Sequence, residues 1–307
     1  MDFKTNMKVN IGTLELKNPI IAASGTFGFG QEYSEFFDLS EIGGVSVKAV
    51  TLELRHGNPP PRVAETPAGM LNSVGLQNPG VKSFIKYGIP FLRKYDTKII
   101  VNIAGNSADD YVKLTEILDA SDIDAFEVNV SCPNVKHGGA AFGVSCDSVE
   151  AITTSVRNAT KKPVIVKLTP NVTSISEIAK AAESGGADSV SLINTILGMV
   201  IDINTKRPIM HNNVGGLSGP AVRPIAVRMV NEVFRSVKIP IIGMGGIMTS
   251  RDAIEFLLAG ATAVMVGTAS FITPTACLDI AKELELYCVN NKITKVSDLT
   301  GAVILNA

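Results

Sequence analysis

Residues Ala125–Gly143 read AFEVNVSCPNVKHGGAAFG. Phe126, Val128 and Val130 alternate with Glu127, Asn129 and Ser131, a period of two that predicts a β-strand. Cys132 and Pro133 follow. Proline has no amide hydrogen and cannot continue a central strand, so the sheet ends there. A glycine-rich loop carrying Lys136 and His137 comes next. A strand that delivers an amide, a hydroxyl and a thiol and then breaks into a loop reads as the floor of an active site. For Cys132 in isolation, a buried thiol at a strand end is the plainer account, so the rest of the chain has to decide.

Working outward, the same unit recurs. A small hairpin is predicted over 7–18, turning at Gly12-Thr13. Apolar strands are then expected at Ile20–Ser24, Gly44–Val50, Lys98–Ala104, Pro163–Leu168, Asp188–Asn194, Ile239–Met244 and Ala263–Gly267. Helices are expected near 81–94, 107–120, 147–160 (with Asp147 as its cap and Glu150 at the third helical position), 174–185, 222–236, 250–259 and 274–290. Two long connections interrupt the rhythm, 51–80 and 195–221. The first carries apolar anchors, Met70, Leu71, Val74 and Leu76, and reads as an ordered lid. Strands rich in Val and Ile that alternate with helices pair in parallel. Eight such units predict the α/β class: a (β/α)8 TIM barrel with an N-terminal hairpin and long active-site loops. A doubly wound open sheet is the alternative, weakened because no G-x-G-x-x-G follows the first strand. No linker is visible, so 1–307 reads as one domain.

Composition narrows the function classes. Hydrophobic residues make up 46% of the 307 and charged ones 19%, which is globular and rich in core. A net charge of −1, no Trp and no basic run give nucleic acid or an anionic membrane nothing to hold. The cysteines Cys132, Cys146, Cys277 and Cys288 form no C-x-x-C pair, which argues against a zinc site or an iron–sulfur cluster in this chain. Cys277 and Cys288 read as core or interface thiols. Sparse cysteine usage, no secretory h-region near the first residues and no apolar run of membrane length predict a cytoplasmic protein.

In barrels of this kind the active site lies at the C-terminal ends of the strands. Those ends carry Ser24, Lys48, Asn102, Asn129, Lys167, Asn194, Gly245 and Gly267. Polar groups converging on one mouth are the expected lining of a site. Three asparagines offer paired donors and acceptors, which suits a flat ligand with ring amides and carbonyls. Lys48 and Lys167 offer positive charge to something that becomes anionic. Gly219, Gly245-Gly246 and Gly267-Thr268 precede helices, where backbone amides bind phosphate. The SGTFGFG loop, with three glycines in seven residues, is expected to pass close to a ligand. No Ser-His-Asp set and no H-E-x-x-H appears. A lysine acting as a Schiff base, as in barrel aldolases and lyases, stays open on this reading, as does a phosphate-ligand binding module.

Taken together and in order, NPIIAASGTFGFG, SVKAV, NSVGLQNPG, VNIAG, EVNVSCPN, VIVKLTPN, NTILGM, GGLSGPA, IIGMGGI and AVMVGTA resemble the class 1 dihydroorotate dehydrogenases. The likeness covers about residues 9–290, and EVNVSCPN and NSVGLQN are its most specific segments. SGTFGFG, the NPG after NSVGLQ and GGLSGPA most resemble the class 1B catalytic subunit. Class 1A enzymes, which reduce fumarate, and the pyrimidine-reducing barrel of dihydropyrimidine dehydrogenase share the core motifs.

The resemblance implies an FMN enzyme of pyrimidine (UMP) biosynthesis that oxidises (S)-dihydroorotate to orotate. It implies that Cys132 is the base at substrate C5 while a hydride passes from C6 to the flavin N5. By the same likeness Lys48, Asn72, Ser73, Val74, Gly75, Leu76, Asn129, Asn194 and Thr195 hold substrate. Ser24, Lys48, Ala49, Asn102, Asn129, Lys167, Ile193, Gly219, Gly245, Gly246, Gly267 and Thr268 hold FMN, with Lys167 beside the N1/O2 edge. It further implies a homodimer within a heterotetramer, whose second subunit carries FAD and [2Fe-2S] and passes electrons to NAD. The loop after Pro133 is expected to close over substrate.

Overall fold

A computed structural model describes residues 4–131 and 142–306. Eight parallel strands close into a barrel in chain order: Ile20–Ala22, Gly44–Ser46, Lys98–Ile103, Ala125–Asn129, Val164–Lys167, Ser189–Leu192, Ile241–Met244 and Ala263–Val266. The last strand pairs back onto the first, Met265 opposite Ile21. That closure excludes the open doubly wound sheet and bears out the (β/α)8 reading. Val50, expected at the end of the second strand, makes only an isolated bridge with Ile103.

Parallel strands covered on both faces are usually continuous apolar runs. Ala125–Asn129 is buried at every position yet alternates. The cause is a polar layer inside the barrel. Glu127 is hydrogen-bonded to Ser46, Asn102 and Ser191 of three other barrel strands, so Glu127 and Asn129 turn inward, and Phe126 and Val128 turn to the surrounding helices.

The helices Ala108–Asp119, Cys146–Ala159, Ile175–Ser184, Arg223–Phe234, Ser250–Ala259 and Ala276–Asn290 bury their apolar stripes against that barrel. The second of these is capped by Ser145, whose side chain accepts from the Ser148 amide; Asp147 lies inside the first turn, and the third helical position is Ser148, not Glu150. The cap hydroxyl satisfies one orphan amide, and a carboxylate in the first turn complements the helix dipole. The helix expected near 81–94 is interrupted by a π turn at Phe84–Gly88. Pro90 has no amide hydrogen for the Lys86 carbonyl, and the ladder widens just before it.

The hairpin Val9–Ile11 and Leu14–Leu16 forms as expected. Its Gly12 has φ 59°, and a Cβ there would approach the Asp188 Cβ to 3.0 Å, which puts the hairpin at the N-terminal end of the barrel.

The long connections differ from expectation. Val63–Thr66, Gly69–Asn72, Gly215–Ser218 and Ile196–Gly198 form one antiparallel sheet of four strands over the opposite end. Leu71 pairs with Leu217, and Leu217 with Ile196. The hairpin of the first connection is local, but the pairing that joins the two connections spans more than a hundred residues and has no local signal, and Gly215-Gly216 has no β-propensity.

Candidate active site

The strand C-termini and the four-stranded sheet enclose a cavity of about 410 Å³. All eight residues read from the strand ends line it: Ser24, Lys48, Asn102, Asn129, Lys167, Asn194, Gly245 and Gly267. Asn72, Ser73, Val74, Gly75, Leu76 and Thr195 line it from the side of the sheet, and Ala49, Ile193, Gly246 and Thr268 complete the predicted set on its wall. Gly219 is not on the wall. It has φ 97°, and a Cβ there would come within 2.7 Å of the Gly69 Cα, so it joins the two long connections. Cys132, Lys136 and His137 lie outside the described residues. Their neighbour Ser131 is 4% exposed at the foot of the site.

One residue missed in the sequence organises the floor. Glu127 has no exposed surface. Its Oε1 accepts from the Ser191 hydroxyl at 2.8 Å, and its Oε2 accepts from the Ser46 hydroxyl at 2.9 Å and from the Asn102 amide. Lys167 Nζ stands 3.8 Å from Oε2 and donates to Ser24 Oγ at 3.3 Å. A carboxylate buried without partners would be prohibitive; here two hydroxyls, an amide and an ammonium surround it. The signal was in the sequence: a glutamate within an otherwise apolar strand has to be paired or face a cavity, because burying a lone charge is costly. Lys48, half-buried, lines the cavity, and its backbone amide donates to the Gly28 carbonyl at 2.8 Å.

The asparagines are linked above Glu127. Asn129 Nδ2 donates to Asn102 Oδ1 at 3.4 Å, Ser131 Oγ donates to Asn129 Oδ1 at 2.8 Å, and Asn194 Nδ2 donates to Ser131 Oγ. The Tyr111 hydroxyl secures the Asn129 carbonyl at 2.8 Å from outside the barrel. Asn171 ties the second long connection to the fifth strand through the Thr195 carbonyl and the Leu197 amide, both at 3.0 Å.

The glycines divide by role. Gly245 and Gly246 have φ 124° and 78°, values an L side chain rarely adopts, and both face the cavity. They do not abut the next helix as expected. Thr249 caps it, and Asp252 accepts from the Met248 and Thr249 amides, so that helix end is already satisfied by the chain itself. Thr268 and Ser218 are hydrogen-bonded at 2.9 Å on the same side of the cavity. Of the SGTFGFG glycines only Gly25 lines the cavity; Gly28 and Gly30, with φ 57° and 82°, serve the turn. Cys277 is fully buried, and burial pushes its thiol up to about 12. Cys288 is likewise buried, in accord with core thiols.

Residues 6–287 match the family described as dihydroorotate dehydrogenase. The chain belongs to the dihydroorotate dehydrogenase family. It is 58% identical over 298 residues to a protein of Alkaliphilus oremlandii named dihydroorotate dehydrogenase B (NAD(+)), catalytic subunit, covering 97% of this chain and 99% of that one. Proteins of the same name from Alkaliphilus metalliredigens and Desulforamulus reducens are 56% and 54% identical, covering 98% of this chain and 99% and 100% of theirs. In this family member Glu127–Asn129 lie on the fourth barrel strand and Asn72 ends a strand of the sheet above, with Asn129 and Asn72–Leu76 on one cavity. Among the described residues no group of three or more His, Cys, Asp and Glu side chains could hold a metal ion. No helix among them is long and apolar enough to cross a membrane.

Proposed function

We propose that this chain is the catalytic subunit of an NAD-linked dihydroorotate dehydrogenase, oxidising (S)-dihydroorotate to orotate for pyrimidine synthesis. The observation that carries the proposal is the cavity itself: four asparagines, two lysines and a set of glycine turns converge on it in a member of this family. The donor set fits FMN. Asn102, Asn129, Lys48 and Lys167 suit a flat ring with carbonyls and ring nitrogens. Gly245, Gly246, Gly267 and Thr268 leave room and backbone amides for a phosphate. When bound, FMN supplies the hydride acceptor for substrate C6.

The chain's own groups do the rest. Ser24, Lys48, Ala49, Asn102, Asn129, Lys167 and Ile193 would hold the ring. Gly219 would act from behind the wall by fixing the path of the loop. Lys48, Asn72–Leu76, Asn129, Asn194 and Thr195 would hold and orient dihydroorotate. Cys132, as thiolate, would take the C5 proton as the C5–C6 double bond forms. Lys167 would set its ammonium against the negative charge the ring gains. Partition of the work follows from the relatives' name, a catalytic subunit. The partner would carry FAD and [2Fe-2S] and reduce NAD, in a cytoplasmic heterotetramer built on a homodimer of this chain.

The test is anaerobic. Protein loaded with FMN should be yellow and bleach on adding dihydroorotate; a chain that stays unloaded in excess FMN would overturn the reading. Cys132→Ala should keep FMN and slow bleaching by about 10²–10⁴-fold, the usual span for a general base. Reduction of NAD should appear only once the FAD- and iron–sulfur-bearing partner is added. Fumarate reduction by this chain alone would point instead to the class 1A reading.

A further inference from the structure

We propose that Glu127 is a positioning residue whose carboxylate sets the direction of the amides that face the ligand. The proposal rests on the reading of the cavity as a dihydroorotate and FMN site. An asparagine amide has a donor end and an acceptor end of nearly the same shape, so a ring of asparagines can be arranged in several ways with the same packing. Something must choose one.

Among the described residues the polar partners of Glu127 are all donors: the Ser46 and Ser191 hydroxyls, the Asn102 amide and the Lys167 ammonium. It therefore acts as an acceptor at the root of a chain of hydrogen bonds. Asn102 must turn its Nδ2 to Oε2, because the reverse would set two acceptors face to face. That leaves Asn102 Oδ1 to receive the Asn129 amide at 3.4 Å. Asn129 Oδ1 then points at Ser131 and accepts its hydroxyl at 2.8 Å. Ser131, having spent its proton, receives the Asn194 amide.

A second, independent group agrees with this direction. The Ser131 backbone amide, a donor that cannot be reversed, lies 3.3 Å from Asn129 Oδ1. The carboxylate at one end and this N–H further along thus impose the same order. Asn102 and Asn129 each keep one N–H for the ligand, and Asn194 keeps its carbonyl, which has no partner among the described residues. The pocket asks for ligand acceptors at the first two and admits a ligand N–H at the third. An unpaired N–H or carbonyl on the wrong side would discriminate strongly, because buried polar groups are costly to leave unmade.

Orotate titrations of FMN-loaded protein, read from the change in flavin absorption, test this. In Glu127→Gln the side-chain carbonyl can take the Oε2 position and the new NH2 can donate to Ser191, so the direction of the chain survives without the charge. In Glu127→Leu the volume stays and the acceptor is gone. Orotate affinity is expected within about threefold of the parent for Glu127→Gln, and weaker by about 30-fold or more for Glu127→Leu, the size of two or so lost hydrogen bonds. In turnover the Leu variant should lose mainly through KM, and Gln should rescue it. A role confined to stability would move the melting temperature of the Leu variant without this Gln rescue of affinity. Parent-like orotate affinity in Glu127→Leu overturns the proposal, and so does Glu127→Gln falling as far as Leu. Should the Leu variant fail to fold or to hold FMN, Ser131→Ala cuts the same chain further along. A fall in orotate affinity of about tenfold supports the proposal and no change overturns it. A flat titration of the parent protein would instead sink the functional reading on which the proposal stands.

Discussion

Lys167 keeps only 5% of its surface exposed and sits 3.8 Å from a glutamate with none. Breaking such a pair strands the other charge. Lys167→Ala is therefore expected to lower stability by about 3–5 kcal/mol, measurable as a drop in the urea midpoint, as well as slowing flavin reduction. Cysteines diverge for the same reason of environment. Cys146 is exposed, and Cys277 is buried with its thiol pushed from 9.0 up to about 12. A thiol reagent near pH 8 should label Cys146 in the folded protein and leave Cys277 untouched until unfolding. The linkage has a sign. The folded chain holds the Cys277 proton at pH values where the unfolded chain has released it, so this contribution is intact below about pH 9 and is lost as pH rises toward 12. Replacing Cys277 by Ala should flatten that alkaline limb of a stability–pH curve.

At the scale of elements, the turn after the seventh barrel strand is the sharpest constraint. Gly246 has φ 78°, and a Cβ there would lie 2.7 Å from the Gly219 carbonyl oxygen, a backbone atom with little freedom to withdraw. Gly246→Ala is expected to cost about 1–3 kcal/mol in stability and to weaken FMN by about tenfold or more, checked by thermal melts and by fluorescence titration of the flavin. The sheet above the mouth is the other element with consequences. Because Met70 pairs with Ser218 and Asn72 with Gly216, the residues proposed to hold substrate and those beside the proposed phosphate site are held by one hydrogen-bonded ladder. The 51–80 connection read as an ordered lid is thus fastened by strand pairing at Met70–Asn72, and a four-stranded sheet roofs the cavity there.

Across the whole molecule, the barrel depends on close packing between strands and helices. Phe256 has no exposed surface, and a Cβ on Gly243 of the seventh strand would meet its ring at 2.5 Å. Phe256→Ala should cost about 3–5 kcal/mol, read as a lowered denaturant midpoint with the m-value unchanged. That core was legible before any coordinates. Runs of Val and Ile alternate with amphipathic stretches, and period and hydrophobicity are local properties that the chain writes directly. The strand-end residues were legible too, because a parallel barrel puts every strand C-terminus on one face, so position in the repeat is position in the site. Asn72–Leu76 and Thr195 were reached through the family resemblance of their segments, and they do line the cavity. What the sequence by itself determined was therefore the barrel, its order and most of its wall. Only the tertiary structure decided three things. It paired the two long connections into one sheet, moved Gly219 from the wall to the seam between them, and set Glu127 beneath the asparagines as the acceptor from which their amides take direction. Each depends on groups far apart in the chain meeting at hydrogen-bonding distance, and no local pattern encodes which donor will find which acceptor across a closed barrel.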